Sequence, residues 1–298
     1  MIGQMAMRRA TPWLLLAAPL LLLFLFLLLP YLLTFYYSTT GATIGHLLNV
    51  PQVGFKNFQA VLASHAPDFA GVVLVTTIFT VGTLVGSLGL GTVLALALYS
   101  LSPGRRSLLL ALYLIPWVVA GVIIGYTWRL MYDPQIGLAN SLIEGIGLSP
   151  VSWLTDKSTA LAALVAANVW AGYGIVLLVM SAALANVPPN LILAGQADGA
   201  SYGRIVWRVI LPSIRPSFLL AALVALVSGL NTFDLIYAMT GGGPLYQTET
   251  MALEMYRLTA LKGQVGQGAA VTVILFTLSL LLAIAYVLLW RREARKWT

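Results

Sequence analysis

The chain reads as an all-α integral membrane protein with six spans. Three observations predict this. Of its 298 residues, 60% are hydrophobic and only 8% are charged, whereas a soluble domain carries about 25% charged residues. The apolar residues fall in six long runs. The basic residues gather at the ends of alternate runs, as topology signals do.

The runs lie at about 12–36, 71–99, 107–131, 159–184, 216–240 and 268–290. Each is long enough to cross about 30 Å of hydrocarbon as a helix. Backbone N–H and C=O groups in lipid must pair internally, so these runs are expected to be helical. The first contains LLAAPLLLLFLFLLLPYLL, too long for the apolar part of a cleaved signal peptide, and no small-residue cleavage site stands beside it. Arg8-Arg9 therefore reads as an anchor for its inner end. Gly82 and Gly86, like Gly121 and Gly125, are small residues four apart. That spacing lets helix backbones approach closely.

Charge sets the orientation. Six spans put both termini on one side. The compartments 1–11, 100–106, 185–215 and 291–298 hold eleven basic residues: Arg8, Arg9, Arg105, Arg106, Arg204, Arg208, Arg215, Arg291, Arg292, Arg295 and Lys296. The opposite compartments hold five: Lys56, Arg129, Lys157, Arg257 and Lys262. The positive-inside bias places both termini and the 185–215 loop in the cytoplasm. Of the nine acids, only Asp198 and Glu293 lie on that side. Trp13, Trp128, Trp153 and Trp290 sit near span ends, where interfacial aromatics gather. The net charge of +7 follows this pattern and does not mark a nucleic-acid surface.

Several chemistries fail on the residues. There is no cysteine, hence no disulfide and no thiolate site. His46 and His65 share a polar loop without further ligands nearby, so they read as solvated rather than metal-binding. No Gly-x-x-x-x-Gly-Lys-Ser/Thr loop occurs, so ATP hydrolysis by that route is absent. Gly199-Ala200-Ser201-Tyr202-Gly203 matches a hydrolase elbow, but both histidines precede it, where that chemistry needs one downstream.

Outside, Phe55, Phe58, Val61 and Leu62 have helical spacing, which suits a short amphipathic helix lying on the membrane. Gly241-Gly242-Gly243-Pro244 is a helix stop and turn. No linker divides the chain, so residues 1–298 read as one membrane domain.

The most informative stretch is the polar, basic segment 186–215. Pro188-Pro189 closes the fourth span. Leu191 to Ala197 can form a short helix. Asp198 is a good N-cap for a second one through Ser201, Ile205 and Trp207. Gly199 supplies freedom at the turn. Pro212 and Pro216 close the second helix and begin the fifth span. Such a hairpin makes a knob that can seat in a partner's groove and pass on its motion.

Asp198-Gly199-Ala200, then Trp207, then Leu211-Pro212, placed before the second-to-last span, resembles the cytoplasmic coupling loop of permease subunits in binding-protein-dependent ABC importers. Further matches cover essentially the whole chain: Tyr126-Thr127-Trp128-Arg129-Leu130-Met131, Asn168-Val169-Trp170, and Asn231-Thr232-Phe233-Asp234-Leu235-Ile236-Tyr237 with Thr240-Gly241-Gly242-Gly243-Pro244. These look like the carbohydrate (maltose-type) branch. The loop departs from the family in one place. Leu193-Ala194-Gly195 stands where Glu-Ala-Ala would be, so the glutamate's contact falls to a second subunit or to Gln196 and Arg204.

The resemblance implies a type I ABC importer permease fold and a sugar passed on by an external binding protein. It implies a second, homologous permease completing a heterodimer and two ATPase subunits that use ATP and Mg, with no cofactor bound by this chain. The setting is a bacterial inner membrane. Ala194, Gly195, Asp198, Gly199, Ala200, Trp207, Leu211 and Pro212 would couple to the ATPase. Trp117, Gly121, Ala171, Gly172, Tyr173, Gly229, Asn231 and Thr232 would line the sugar's path.

Asp234 joins them from the residues alone. It is the one acid well inside an apolar run, and a carboxylate at mid-membrane costs about 2.5–3.5 kcal/mol on insertion scales. Two readings stay open. It faces a wet cavity, sharing a helical face with Asn231 and Tyr237 or Ala238, or it caps a helix or pairs with Arg129 or Arg257. Trp117, after Pro116, is either a stacking platform or a lipid-facing residue. An ion-gradient-driven secondary transporter is the alternative function, and it too would lean on Asp234.

Overall fold

The structure, a computed structural model, describes residues 16–294. Arg8, Arg9, Trp13, Arg295 and Lys296 lie outside the described residues. In chain order the helices are α1 (Leu16–Ser38), α2 (Lys56–Leu62), α3 (Phe69–Tyr99), α4 (Pro103–Val118), α5 (Gly121–Met131), α6 (Leu138–Gly145) and α7 (Ala160–Ala185). They continue as α8 (Pro189–Ala197), α9 (Tyr202–Ser213), α10 (Arg215–Leu230), α11 (Asp234–Met239), α12 (Met251–Tyr256) and α13 (Val265–Ala294).

Four of these, α1, α3, α7 and the Val265–Leu288 part of α13, are each long and apolar enough to cross a membrane. The count reaches six when two bent pairs are each taken as one span: α4 with α5, bent by 91°, and α9 with α10, bent by 73°. The run at 107–131 is thus broken at 119–120, and the run at 216–240 is broken at 231–233. Between α4 and α5, Val119 and Ala120 are extended, with ψ of 138° and 136°. After α10, Asn231 Nδ2 donates to the Val227 carbonyl at 2.8 Å and Thr232 Oγ1 to the Ser228 carbonyl at 2.9 Å. These short side chains take up the last carbonyls of the helix, and it stops there.

The chain forms two compact units, Met1–Ser64 with Glu254–Ile274, and His65–Leu253 with Leu275–Thr298. In the first, α2 forms as expected, and Asn57 joins Val61 on its buried side. Asn57 and Val61 are buried, while Phe55 and Leu62 are exposed. The cause is polar: Asn57 Nδ2 donates to the carbonyls of Ser38 (2.9 Å) and Thr40 (2.8 Å). A buried amide has to be paired. Arg257 forms an ion pair with Glu254 on the neighbouring turn.

The second unit is built on α3 against α7. A Cβ on Gly82 would lie only 3.1 Å from Val165, Gly86 sits directly under Val169, and a Cβ on Gly91 would lie 2.7 Å from Val176. Small residues here bring the two backbones together, as the Gly82/Gly86 spacing predicted. The same face of α3 carries Thr76, Thr80, Thr83 and Ser87, all buried. Steps of four, three and four keep them on one side of the helix.

At the C-terminal end of α5, Trp170, Trp128, Tyr132 and Trp153 form a chain of ring contacts 5.3–6.0 Å apart. Asn140, buried on α6, holds the following loop. Its Oδ1 accepts from the Val151 N–H (3.0 Å) and Trp153 Nε1 (2.9 Å), and its Nδ2 donates to the Val151 carbonyl (3.0 Å).

Candidate functional site

Two features of the second unit can do work: a hairpin and a cavity. The hairpin is α8 and α9. Asp198 is the C-cap of α8 rather than the N-cap of α9, which corrects the expectation. Gly199 follows with φ +71°. Its N–H donates to the Gln196 carbonyl, and the Ala200 N–H donates to the Gly195 carbonyl, both at 3.0 Å. This pair of bonds is a Schellman closure, and it needs a left-handed residue that glycine adopts without Cβ strain. Ser201, extended at ψ 155°, is the N-cap of α9. Asp198 thus lies three residues too early to cap the second helix.

Pro212 does not end α9. The turn before it, Val206–Ile210, widens to π-helix, and Leu211 N–H donates to the Val206 carbonyl. Widening relieves the clash between a proline ring and the carbonyl four residues back, here that of Arg208. The same device precedes Pro30 in α1, where Phe24–Leu28 is π-helical.

The hairpin is rooted in the interior. Ile205, Val206, Ile210 and Ile214 are buried in one cluster with Leu98 of α3 and Leu177, Met180 and Leu184 of α7. Each such aliphatic side chain contributes about 1.5–3 kcal/mol on burial. The opposite surface is bare: Leu193, Ala194, Asp198 and Gly199 are exposed, and Trp207 is 75% exposed. Leu211 and Pro212 are half-buried and line an apolar groove with Val206, Trp207 and residues of α3.

The cavity holds about 380 Å³. Both helix breaks open onto it. Val119 and Gly121 come from one, and Asn231, Thr232, Phe233 and Asp234 from the other. Irregular backbone at membrane depth is tolerated where it lines a wet cavity. The two half-helices beyond the breaks, α5 and α11, pack through glycine. A Cβ on Gly121 would lie 3.2 Å from that of Asp234, and one on Gly125 would lie 2.6 Å from that of Ala238.

Eight of the nine residues expected along the substrate path line this cavity: Trp117, Gly121, Ala171, Gly172, Gly229, Asn231, Thr232 and Asp234. Tyr173 does not. It is buried in the cluster with Val176, Leu177 and Met180. The cavity face of α7 is Asn168, Ala171, Gly172 and Ile175, with steps of three, one and three. Tyr173 is turned about 100° off Gly172 and falls into the core.

Asp234 is exposed and opens α11 rather than sitting within a helix. The break at 231–233 thus removes the shared helical face expected for Asn231 and Asp234. No ion pair joins Asp234 to a cation among the described residues: Arg129 reaches toward the Ala238 carbonyl at 3.5 Å instead, and Arg257 is held by Glu254. Trp117 is 44% exposed at the cavity wall, its Cβ packed over Gly174.

Thr83, Ser87, Asn168 and Ser228 also line the cavity and escaped the sequence reading. Asn168 Nδ2 donates to Thr83 Oγ1 at 3.4 Å, and the buried Ser87 hydroxyl has no partner. The signal was the threonine–serine stripe on α3, polar residues repeating at helical spacing inside an apolar run.

Residues 87–295 match the family described as binding-protein-dependent transport system inner membrane component. The chain belongs to that family. Among curated relatives, this permease is 33% identical over 95% of its length to the trehalose/maltose transport system permease protein MalF of Thermococcus litoralis, covering 95% of that protein. It is 30% identical over 94% of its length to the sulfoquinovosyl glycerol transport system permease protein SmoG of Agrobacterium fabrum, covering 90% of that protein. Among solved structures, a chain of a bacterial alginate ABC transporter in complex with its alginate-bound periplasmic protein superposes with a TM-score of 0.82 at 21% identity, over 97% of the permease and 96% of that chain. The permease thus has the type I importer fold and is a multi-pass inner-membrane transport component.

Proposed function

We propose that the permease carries a sugar handed over by an external binding protein. It does so beside a second permease, driven by two copies of an ATPase that consumes ATP and Mg on the cytoplasmic side. The hairpin carries this reading. Its exposed tip offers Asp198, Gly199 and Trp207 to a partner, while Ile205, Val206 and Ile210 tie it into the core of α3 and α7. A push on the tip is therefore delivered to the helices that wall the cavity. The cavity's hydroxyl and amide groups beside Trp117 and Phe233 suit a polyol with apolar ring faces. Relatives whose names specify saccharide transport support the same cargo class. Both termini and the hairpin lie in the cytoplasm on this reading, as the arginine distribution requires.

Crosslinking tests it directly, since the chain has no cysteine of its own. Ala200→Cys in the assembled complex should crosslink to the ATPase and should react with a thiol reagent only from the cytoplasmic face. Labelling from outside, or no capture of a nucleotide-hydrolysing subunit, defeats the proposal. Uptake by reconstituted vesicles should persist with an ionophore present; loss of uptake there would favour an ion-coupled carrier.

A further inference from the structure

The cavity wall contains one ionisable side chain, Asp234. It is exposed, and it packs against Gly121, the first residue of α5. No basic side chain lines the cavity to draw in an anion. Within the family, the relatives' names include both an uncharged disaccharide cargo and a sulfonated sugar, so cargo charge has to be decided by something in each protein.

We propose that Asp234 is a charge-selecting residue: it makes the cavity accept uncharged or ammonium-bearing saccharides and reject those carrying carboxylate, sulfonate or phosphate. This rests on the reading of the cavity as the sugar's path. The discrimination is electrostatic. A second anion a few ångströms from Asp234 is repelled strongly enough to weaken its binding at least tenfold, about 1.4 kcal/mol.

The test is equilibrium binding to the assembled membrane complex in lipid nanodiscs, without the external binding protein. The probes are glucosamine, glucose and glucuronate, which share one ring and differ in charge. Unmodified complex should bind glucuronate at least tenfold more weakly than glucose, with glucosamine no weaker than glucose. Asp234→Asn keeps the size and the hydrogen-bonding reach of the side chain. It should raise the ratio of glucuronate to glucose affinity about tenfold or more. Equal binding of glucose and glucuronate by the unmodified complex overturns the proposal, as does a ratio unchanged by Asp234→Asn. If no probe binds either form, and Asn168→Leu leaves uptake of the native cargo intact, the cavity is not the sugar's path, and the underlying reading fails with it.

Discussion

A methyl group built on Gly125 would stand 2.6 Å from the Cβ of Ala238 and 3.0 Å from the Leu235 carbonyl oxygen. The two half-helices that follow the breaks are therefore in backbone contact, with no room for even one added carbon. Gly125→Ala should destabilise the permease by about 1–3 kcal/mol, the usual cost of overpacking. Gly104, which has nothing within 4 Å of such a methyl, should tolerate alanine. Thermal unfolding of the purified protein in detergent checks both. Adding Ala238→Gly to Gly125→Ala should recover most of the loss, and an unrecovered double variant would refute the contact.

Gly199 holds φ at +71° and donates its N–H to Gln196. Proline there can neither reach that angle nor donate. Gly199→Pro should leave insertion and expression intact, because the residue is exposed and lies in the turn between α8 and α9. It should abolish cargo-stimulated ATP turnover in the complex. Gly199→Ala, which loses only the left-handed preference, should cost about 1 kcal/mol in the hairpin and reduce turnover partially. Full turnover in the proline variant would count against the coupling role.

Asn140 is 3% exposed and makes three hydrogen bonds across the loop to Val151 and Trp153. Asn140→Ala strands those partners, at about 1–3 kcal/mol for each buried group left unmet. The 146–158 loop should become a site of rapid limited proteolysis, whereas α3 and α7 should stay protected. Asn140→Asp keeps the two accepted bonds but sets a carboxylate oxygen against the Val151 carbonyl, so it should not restore the loop.

Asp133 accepts from the N–H groups of Gln135 and Ile136 at 2.9 and 3.1 Å, and these bonds hold its carboxyl below the ordinary value of 3.8. A lowered folded pKa means that the turn's added stability is present above pH 3.8 and fades as pH falls through the folded value. Protection of the Gln135 and Ile136 amides, taken relative to their intrinsic exchange rates, should therefore fall in acid below about pH 4. Asp133→Ala should lack that protection at every pH. An acid-insensitive wild-type turn would contradict the assignment.

Composition alone was enough for the solvent. A chain with this little charge has to sit in lipid, and lipid leaves its long apolar runs no option but helix. The arginines carried the expected orientation, and Asp198-Gly199-Ala200 with Leu211-Pro212 carried the hairpin and the family. These are local signals, written in neighbouring residues. The cavity is different in kind. Ser87, Trp117, Asn168 and Asp234 meet only because α3, α4, α7 and α11 pack around one space. Two breaks that hydropathy does not register, at 119–120 and 231–233, open it. Hydropathy averages over a window, while a break depends on whether Asn231 and Thr232 bend back onto the preceding carbonyls. Tyr173 shows the same limit from the other side: its place beside Gly172 in the chain says nothing of the 100° rotation that buries it. Which face of each helix looks inward is decided by close backbone contacts such as Gly86 on Val169 and Gly125 on Ala238. Those are properties of pairs of segments far apart in the chain, and they exist only once the helices have met.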